Sequence, residues 1–414
     1  MAEETDPDAP LRRRMLALGA FWFLMMGPLG LLLPYYGLYL RENAGLSGSE
    51  VGAIFAVMPL VAMAGQTLWG VTADRSGMRA RVLVVLCGGC AAGYLAVGAA
   101  GGFLALIGAT ALLAVFQRSL IPLSLSVSIP GLADHPHAFG VVRALGTIGF
   151  GVAMFAFPTL LARWQGAHGL LPVAGGPSQP GLGLLFPVAA GLAGAAALAA
   201  LALPGGGVLA LRAAPGDWRA LLRHRPYRRL LLVCAAAFLF QNGPLEIFPI
   251  FVRSRGGDLD TLRSLWLFML VPEVVGVSLL GVVTGRLGPR ALLVFGVAAG
   301  GLRWLGSAEV HSLSWLHPLQ SLHAAVVVGL MLGGPLYLDA IVPPQLRSTA
   351  QALLGVAAVG LGGASSSLLS GWLLQHAGPT APYVVAGAGS LLLAAAIPRV
   401  LPALAVPAEE GAAG

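Results

Sequence analysis

Six ionisable side chains sit inside long apolar stretches of this 414-residue chain: Arg118, Arg143, Glu246, Glu273, Arg303 and His323. Such a group at membrane depth costs about 2.5–3.5 kcal/mol on insertion scales, so each needs a partner or a water-filled cavity. Arg118 follows Gln117, and Arg143 opens a separate stretch, which gives the amino-terminal half two cations and no evident buried acid. A guanidinium grips a carboxylate through two parallel hydrogen bonds, so this pair invites an anionic group. The alternatives are snorkelling to the interface for Arg143 and bonding to carbonyls freed by Pro122 for Arg118. In the carboxyl-terminal half Glu273 follows Pro272 and has no charge within a helical turn, so its partner must come from another helix, with Arg303 the candidate. That pairing would serve either transport or a clamp between helices. His323 shares a face with Gln320 and would relay or stabilise a proton, unless it is a hydrogen-bonded packing residue. Glu246 lies between Pro244 and Pro249 and shares a polar stripe with Asn242, which makes it a second acid for proton coupling or a surface group near a helix end. Tyr35 and Tyr39, one turn apart, offer aromatic faces to a substrate or belong to an interfacial belt.

The elements that must position these groups follow from composition. The chain is 57% hydrophobic and 10% charged, with a mean hydropathy of +0.83; soluble domains carry roughly 25% charge. Apolar runs of about 20 residues recur along the whole length, as α-helical membrane proteins require, whereas outer-membrane barrels show short alternating segments. Spans are expected at 15–39, 50–73, 82–101, 104–129, 141–161, 182–203, 229–251, 263–285, 290–308, 316–338, 347–373 and 380–402, making twelve. The expected organisation is a tail at 1–14, a six-helix bundle at 15–203, a central cytoplasmic loop at 204–228, a second six-helix bundle at 229–402 and a tail at 403–414. Glycines 140, 146, 149 and 151, and the 360–371 region with Ser365, Ser366 and Ser367, read as helix contact faces.

Charge sets the topology. With the amino terminus placed in the cytoplasm, fifteen arginines fall in cytoplasmic segments and five outside, so both termini are expected inside. The net charge of +7 is therefore a topology signal and not a sign of nucleic-acid binding. Cys87, Cys90 and Cys234 form no disulfide framework and read as packing residues. The sequence contains neither a phosphate-cradling G-x-x-x-x-G-K-[ST] loop nor an H-E-x-x-H metal motif, so no cofactor or metal is expected.

The loop after the second span carries Gly70, Asp74, Arg75, Gly77, Arg79 and Arg81, and a degenerate copy at 281–290 follows the eighth. A loop repeated at the same place in two halves is the mark of parallel internal repeats. This pattern resembles the signature loop of the major facilitator superfamily. A narrower resemblance, to the branch holding lactose permease, nucleoside symporters and phenylpropionate permeases, is carried by Leu33–Leu40, Phe139–Gly146, Val271–Val275, Gly301–Trp304 and Leu319–His323. The resemblance implies that Arg143 binds substrate, that Glu273, Arg303 and His323 belong to the substrate and proton-coupling network, and that Asp74 holds a gate. Two positions depart from that branch: its fourth-span glutamate is replaced near Leu125, and its tenth-span glutamate falls on Val326.

The expected protein is thus an all-α secondary transporter and not an enzyme, probed by these residues: Arg143, Arg118, Arg303, Tyr35 and Tyr39 for substrate, and Glu273, His323 and Glu246 for protons. The arginine excess favours a small organic anion, such as an aromatic carboxylate, imported with protons by alternating access. The rivals are a multidrug or metabolite efflux antiporter and a membrane-embedded sensor or enzyme on the same fold. The expected setting is a monomer in the bacterial inner membrane, with lipid, protons and a small-molecule substrate as partners.

Overall fold

A computed structural model of the chain describes residues 9–133, 135–172, 176–203, 218–278 and 287–404. The chain divides into two units, Met1–Arg212 and Ala213–Gly414. The second copy of the signature loop lies largely outside the described residues, as do most of the central loop and the ends of both tails.

The amino-terminal unit is built from α1 (Ala9–Leu38), α2 (Gly48–Ser76), α3 (Arg79–Ala99), α4 (Phe103–Gly131), α5 (Pro136–His168) and α6 (Leu185–Ala200). Each coincides with an apolar run long enough to cross a membrane. Local chemistry sets the ends. Ser47 and Glu50 form a reciprocal capping box at the start of α2, and Gly77, at φ +64°, closes it in the left-handed conformation that favours glycine. The helices α1 and α5 cross so closely that a Cβ on Gly30 would meet the Phe150 backbone and one on Gly149 the Phe23 backbone. Gly149 is therefore a contact glycine, as the sequence suggested, whereas Gly140 and Gly151 face open space.

The carboxyl-terminal unit contains α7 (Trp218–Arg223), α8 (Arg225–Glu246), α9 (Phe248–Ser254), α10 (Leu259–Ser278) and α11 (Pro289–Glu309). It continues with α12 (Leu316–Ser321), α13 (His323–Val326), α14 (Gly333–Ile341), α15 (Arg347–Gly355), α16 (Gly363–Ala377) and α17 (Ala381–Val400). Trp218–Arg223, inside the stretch expected to be a polar loop, is helical, and Pro226 sits in the first turn of α8 where its missing N–H costs nothing. The seventh span is broken: α8 and α9 meet at a bend of 51°. Pro244 removes an intrahelical donor there, and the loosened backbone is held by side chains of other helices. The Gly243 N–H donates to Ser366 Oγ at 2.7 Å, and the Tyr383 hydroxyl donates to the Pro244 carbonyl at 2.9 Å. The tenth and eleventh spans each contain a π-helical segment, Val327–Leu332 and Val356–Gly362. Among the described residues ten helices pass as membrane spans, or eleven with the bent pair counted as one. The eighth expected span starts as α10 and runs on into residues that are not described.

Candidate functional site

In the carboxyl-terminal unit a polar chain runs through the apolar interior across three helical spans. Arg303 on α11 is 1% exposed. Its Nε and Nη2 donate to Gln320 Oε1 at 2.9 and 2.6 Å, and its Nη1 donates to His323 Nδ1 at 2.9 Å. The guanidinium also stacks on the neighbouring Trp304 ring, 4.0 Å from its centroid, and contacts Met269 Sδ at 3.4 Å. The far side of the histidine looks to the acid: His323 Nε2 lies 3.7 Å from Glu273 Oε2. Ser307 extends the chain, donating to the Arg303 carbonyl at 2.7 Å and accepting from Gln320 Nε2 at 3.4 Å.

This geometry corrects the expected pairing of Glu273 with Arg303. The histidine stands between them, and Arg303 spends its donors on the neutral acceptors Gln320 and His323. Arginine can only donate, so His323 Nδ1 must be the acceptor, and the proton of the neutral ring sits on Nε2, facing Glu273. Arg303 is buried and fixes the orientation of His323 through the bond from Nη1 to Nδ1.

A second set of contacts ties the same unit together beside the broken span. Asn242 Nδ2 donates to Glu246 Oε1 at 2.8 Å, and the Ser367 hydroxyl, on α16, reaches Glu246 Oε2 at 2.5 Å. Gln241 accepts from Trp304 Nε1 at 2.9 Å and donates to Ser390 Oγ at 2.8 Å, linking α8, α11 and α17. Gln241, Ser307 and Ser390 were not singled out in the sequence. The one signal for Ser307 was its place four residues after Arg303, where a hydroxyl reaches back to a helix carbonyl.

In the amino-terminal unit the Arg143 guanidinium lies over the Trp22 ring, 4.9 Å from its centroid. Trp22 is fully buried, and its Nε1 donates to Ser128 Oγ at 2.9 Å. Arg118 is half-buried on α4, and its carbonyl accepts from Gln66 at 3.0 Å. The adjacent Gln117 donates to Tyr94 Oη at 2.6 Å. Tyr35 is fully buried, and its hydroxyl donates to the Met154 carbonyl at 2.9 Å, so it ties α1 to α5. Tyr39 is half-buried and packs edge-on against Phe186, 4.7 Å between centroids.

The signature loop is held from within its own unit. Asp74 pairs with Arg79 at 2.9 Å, and Arg79 also donates to the Ser126 carbonyl at 3.4 Å, so the turn after α2 is tied to α4. Gly77 supplies the left-handed residue of the turn, Arg75 and Arg81 are exposed, and Gly70 is half-buried with open space where a Cβ would sit.

Comparison with known proteins matches residues 15–385 to the MFS_1 like family. The maltose permease of Geobacillus stearothermophilus is 30% identical over 369 residues, which cover 86% of each chain. Among solved structures, a mutant form of the nucleoside transporter NupG superposes with a TM-score of 0.82 at 16% identity, covering 93% of this chain and 99% of that one. A D-xylose–proton symporter superposes with a TM-score of 0.65 at 16% identity, covering 95% and 98%.

Proposed function

The chain belongs to the MFS_1 like family of major facilitator superfamily transporters, and from that premise we propose that it imports a small organic solute together with protons. It is a multi-pass secondary transporter and not an enzyme. The observation that carries proton coupling is the chain from Glu273 through His323 to Arg303 and Gln320. It joins one titratable acid to a fixed cation through an imidazole of defined tautomer. Protonation of Glu273 removes the negative charge that faces His323 Nε2, and release of the proton restores it. This switches the charge of the network by one unit per cycle. Alternating access between two six-span units then couples that switch to solute movement.

The substrate read from the sequence, an organic anion such as an aromatic carboxylate, is supported by Arg143 and Arg118 in the amino-terminal unit. A second reading, a neutral sugar, is favoured by the maltose permease relative and by the engagement of Arg303 with neutral partners. Both readings take the protein as a monomer in a bacterial inner membrane; the arginine asymmetry of its loops supports both termini in the cytoplasm. Proteoliposomes with an imposed pH gradient test the proposal, using labelled maltose and labelled phenylpropionate in parallel. Accumulation of either solute that collapses with a protonophore supports coupled import and selects the substrate class. Gradient-driven expulsion of both would replace import with efflux.

A further inference from the structure

Along α5, Gly149, Val152, Ala156 and Leu160 recur at helical spacing and form one wall of an apolar cavity of about 190 Å³ within the amino-terminal unit. Phe23 on α1 and Leu192 on α6 close the other sides. Val152 and Leu160 are also 50% and 43% exposed, so the cavity is a groove open along its length to the surroundings of the helices. Water is a poor occupant: apolar cavities of about this size stay dry and take apolar guests.

The end of the groove is chemically different. Arg163 follows Ala156 by seven residues and Leu160 by three, so it continues the same face of α5, and it is exposed. Trp164 comes one turn after Leu160, with its ring stacked on His168 at 3.7 Å between centroids. His168 Nδ1 donates to the Trp164 carbonyl at 2.9 Å, which fixes the pair at the helix terminus. From Gly149 to Leu160 the helix rises about 16 Å. One leaflet supplies about 15 Å of hydrocarbon, half of the roughly 30 Å core. An apolar groove of leaflet depth therefore ends at a cation and an indole, the ring enriched at the headgroup level. The other unit repeats the aromatic pair near the end of its own fifth span. There Trp372 stacks on His376 at 4.9 Å, and His376 Nδ1 donates to the Trp372 carbonyl at 2.9 Å.

We propose that this groove binds one glycerophospholipid, with an acyl chain along α5 between Phe23 and Leu192 and the phosphate on Arg163. Trp164 then lies beside the glycerol esters, where an amphipathic ring fits between chain and headgroup. A guanidinium can hold a phosphate through two parallel N–H···O bonds, which gives the site a preference for phospholipid over an uncharged lipid with the same chains. The site is separate from the polar chain around Arg303 and does not depend on which solute is carried.

Native mass spectrometry of the detergent-purified protein, with dioleoylphosphatidylglycerol and dioleoylglycerol added at equal concentration, tests the assignment. One phosphatidylglycerol should stay bound per chain under conditions that strip dioleoylglycerol. Arg163→Gln should weaken retention about tenfold or more, as expected for loss of the guanidinium–phosphate contact. Ala156→Phe, which places a ring in the groove from an exposed position, should abolish it. Thermal unfolding without added lipid verifies that both variants are folded. Retention by Ala156→Phe at the wild-type level, or equal retention of the two lipids, overturns the proposal.

Discussion

Arg303 donates a hydrogen bond to Nδ1 of His323, and this one contact sets what the histidine can do. A second proton on the imidazole would have to occupy the nitrogen that faces a guanidinium donor, so His323 cannot become doubly protonated without breaking from Arg303. The proposed coupling therefore assigns the gain and loss of a proton to Glu273. Gln320 keeps Arg303 aimed, because two of the guanidinium nitrogens share its single carbonyl oxygen.

Glu273→Gln should therefore abolish pH-driven accumulation while leaving solute counterflow intact, because glutamine mimics the protonated carboxyl. Uptake into proteoliposomes with and without a pH gradient measures both. A variant that still accumulates solute would make Glu273 a helix clamp and move the search to Glu246.

Gln241→Leu tests a purely structural tie. It leaves the Trp304 N–H without its acceptor, a buried loss of about 1–3 kcal/mol. The variant should unfold several degrees earlier in a detergent thermal melt. Ser390→Ala removes only the second contact of Gln241 and should cost less.

Span positions were legible because apolar run length is a local property of sequence, and the polar stripe of Asn242 and Glu246 was legible because residues four apart share a helix face. What lies between Glu273 and Arg303 was not. It depends on how three spans rotate about their axes, and no local pattern reports that rotation. The break at Ile247 was half legible: Pro244 and Pro249 foretold a kink, but the side chains that hold it, the acceptor Ser366 and the donor Tyr383, lie more than 120 positions away. The partner of Tyr35 was illegible for the same reason: its hydroxyl donates to the Met154 carbonyl, 119 positions along the chain.

At the start of α10, Asp258 accepts from the Thr261 N–H and hydroxyl, both at 2.7 Å, and these bonds hold its carboxyl below the ordinary value of 3.8. Because the folded state favours the ionised form, this contribution is fully present above the ordinary carboxylate range and fades as pH falls through the lowered value. Asp258→Ala should cost about 1 kcal/mol near neutrality, as other cap deletions do. The difference from wild type should shrink in melts at progressively lower pH below 3.8.

The excess of arginine on one set of loops predicts that reporter fusions at residue 215 and at the carboxyl terminus are both active in the cytoplasm. An external signal from either would require an odd number of spans in one of the two units.

Asp74 gives the sharpest separation of stability from motion. Its side chain is 61% exposed, and its partner Arg79 lies in the same loop. The Arg79 side chain is only 12% exposed, but the carboxylate that Asp74→Asn removes faces solvent, where such a contact contributes about 0.2–1 kcal/mol, so the melting temperature should change little. The carboxylate nevertheless holds Arg79, and Arg79 reaches the Ser126 carbonyl on α4, so the charge fixes the turn between α2 and α3 to the body of its unit. Without it, the turn loses the constraint that keeps α2 and α4 moving together during the transport cycle. Asp74→Asn should then slow net uptake by an order of magnitude or so, with half-saturating solute concentration changed by no more than a few-fold. Arg79→Gln should reproduce the effect, because it removes the other end of the same tie. Uptake rates measured over a range of solute concentrations, alongside thermal melts of the same preparations, decide the matter. Normal uptake in both variants would leave the pair as surface decoration, whereas a large drop in melting temperature would mean that it supports the fold and not the motion.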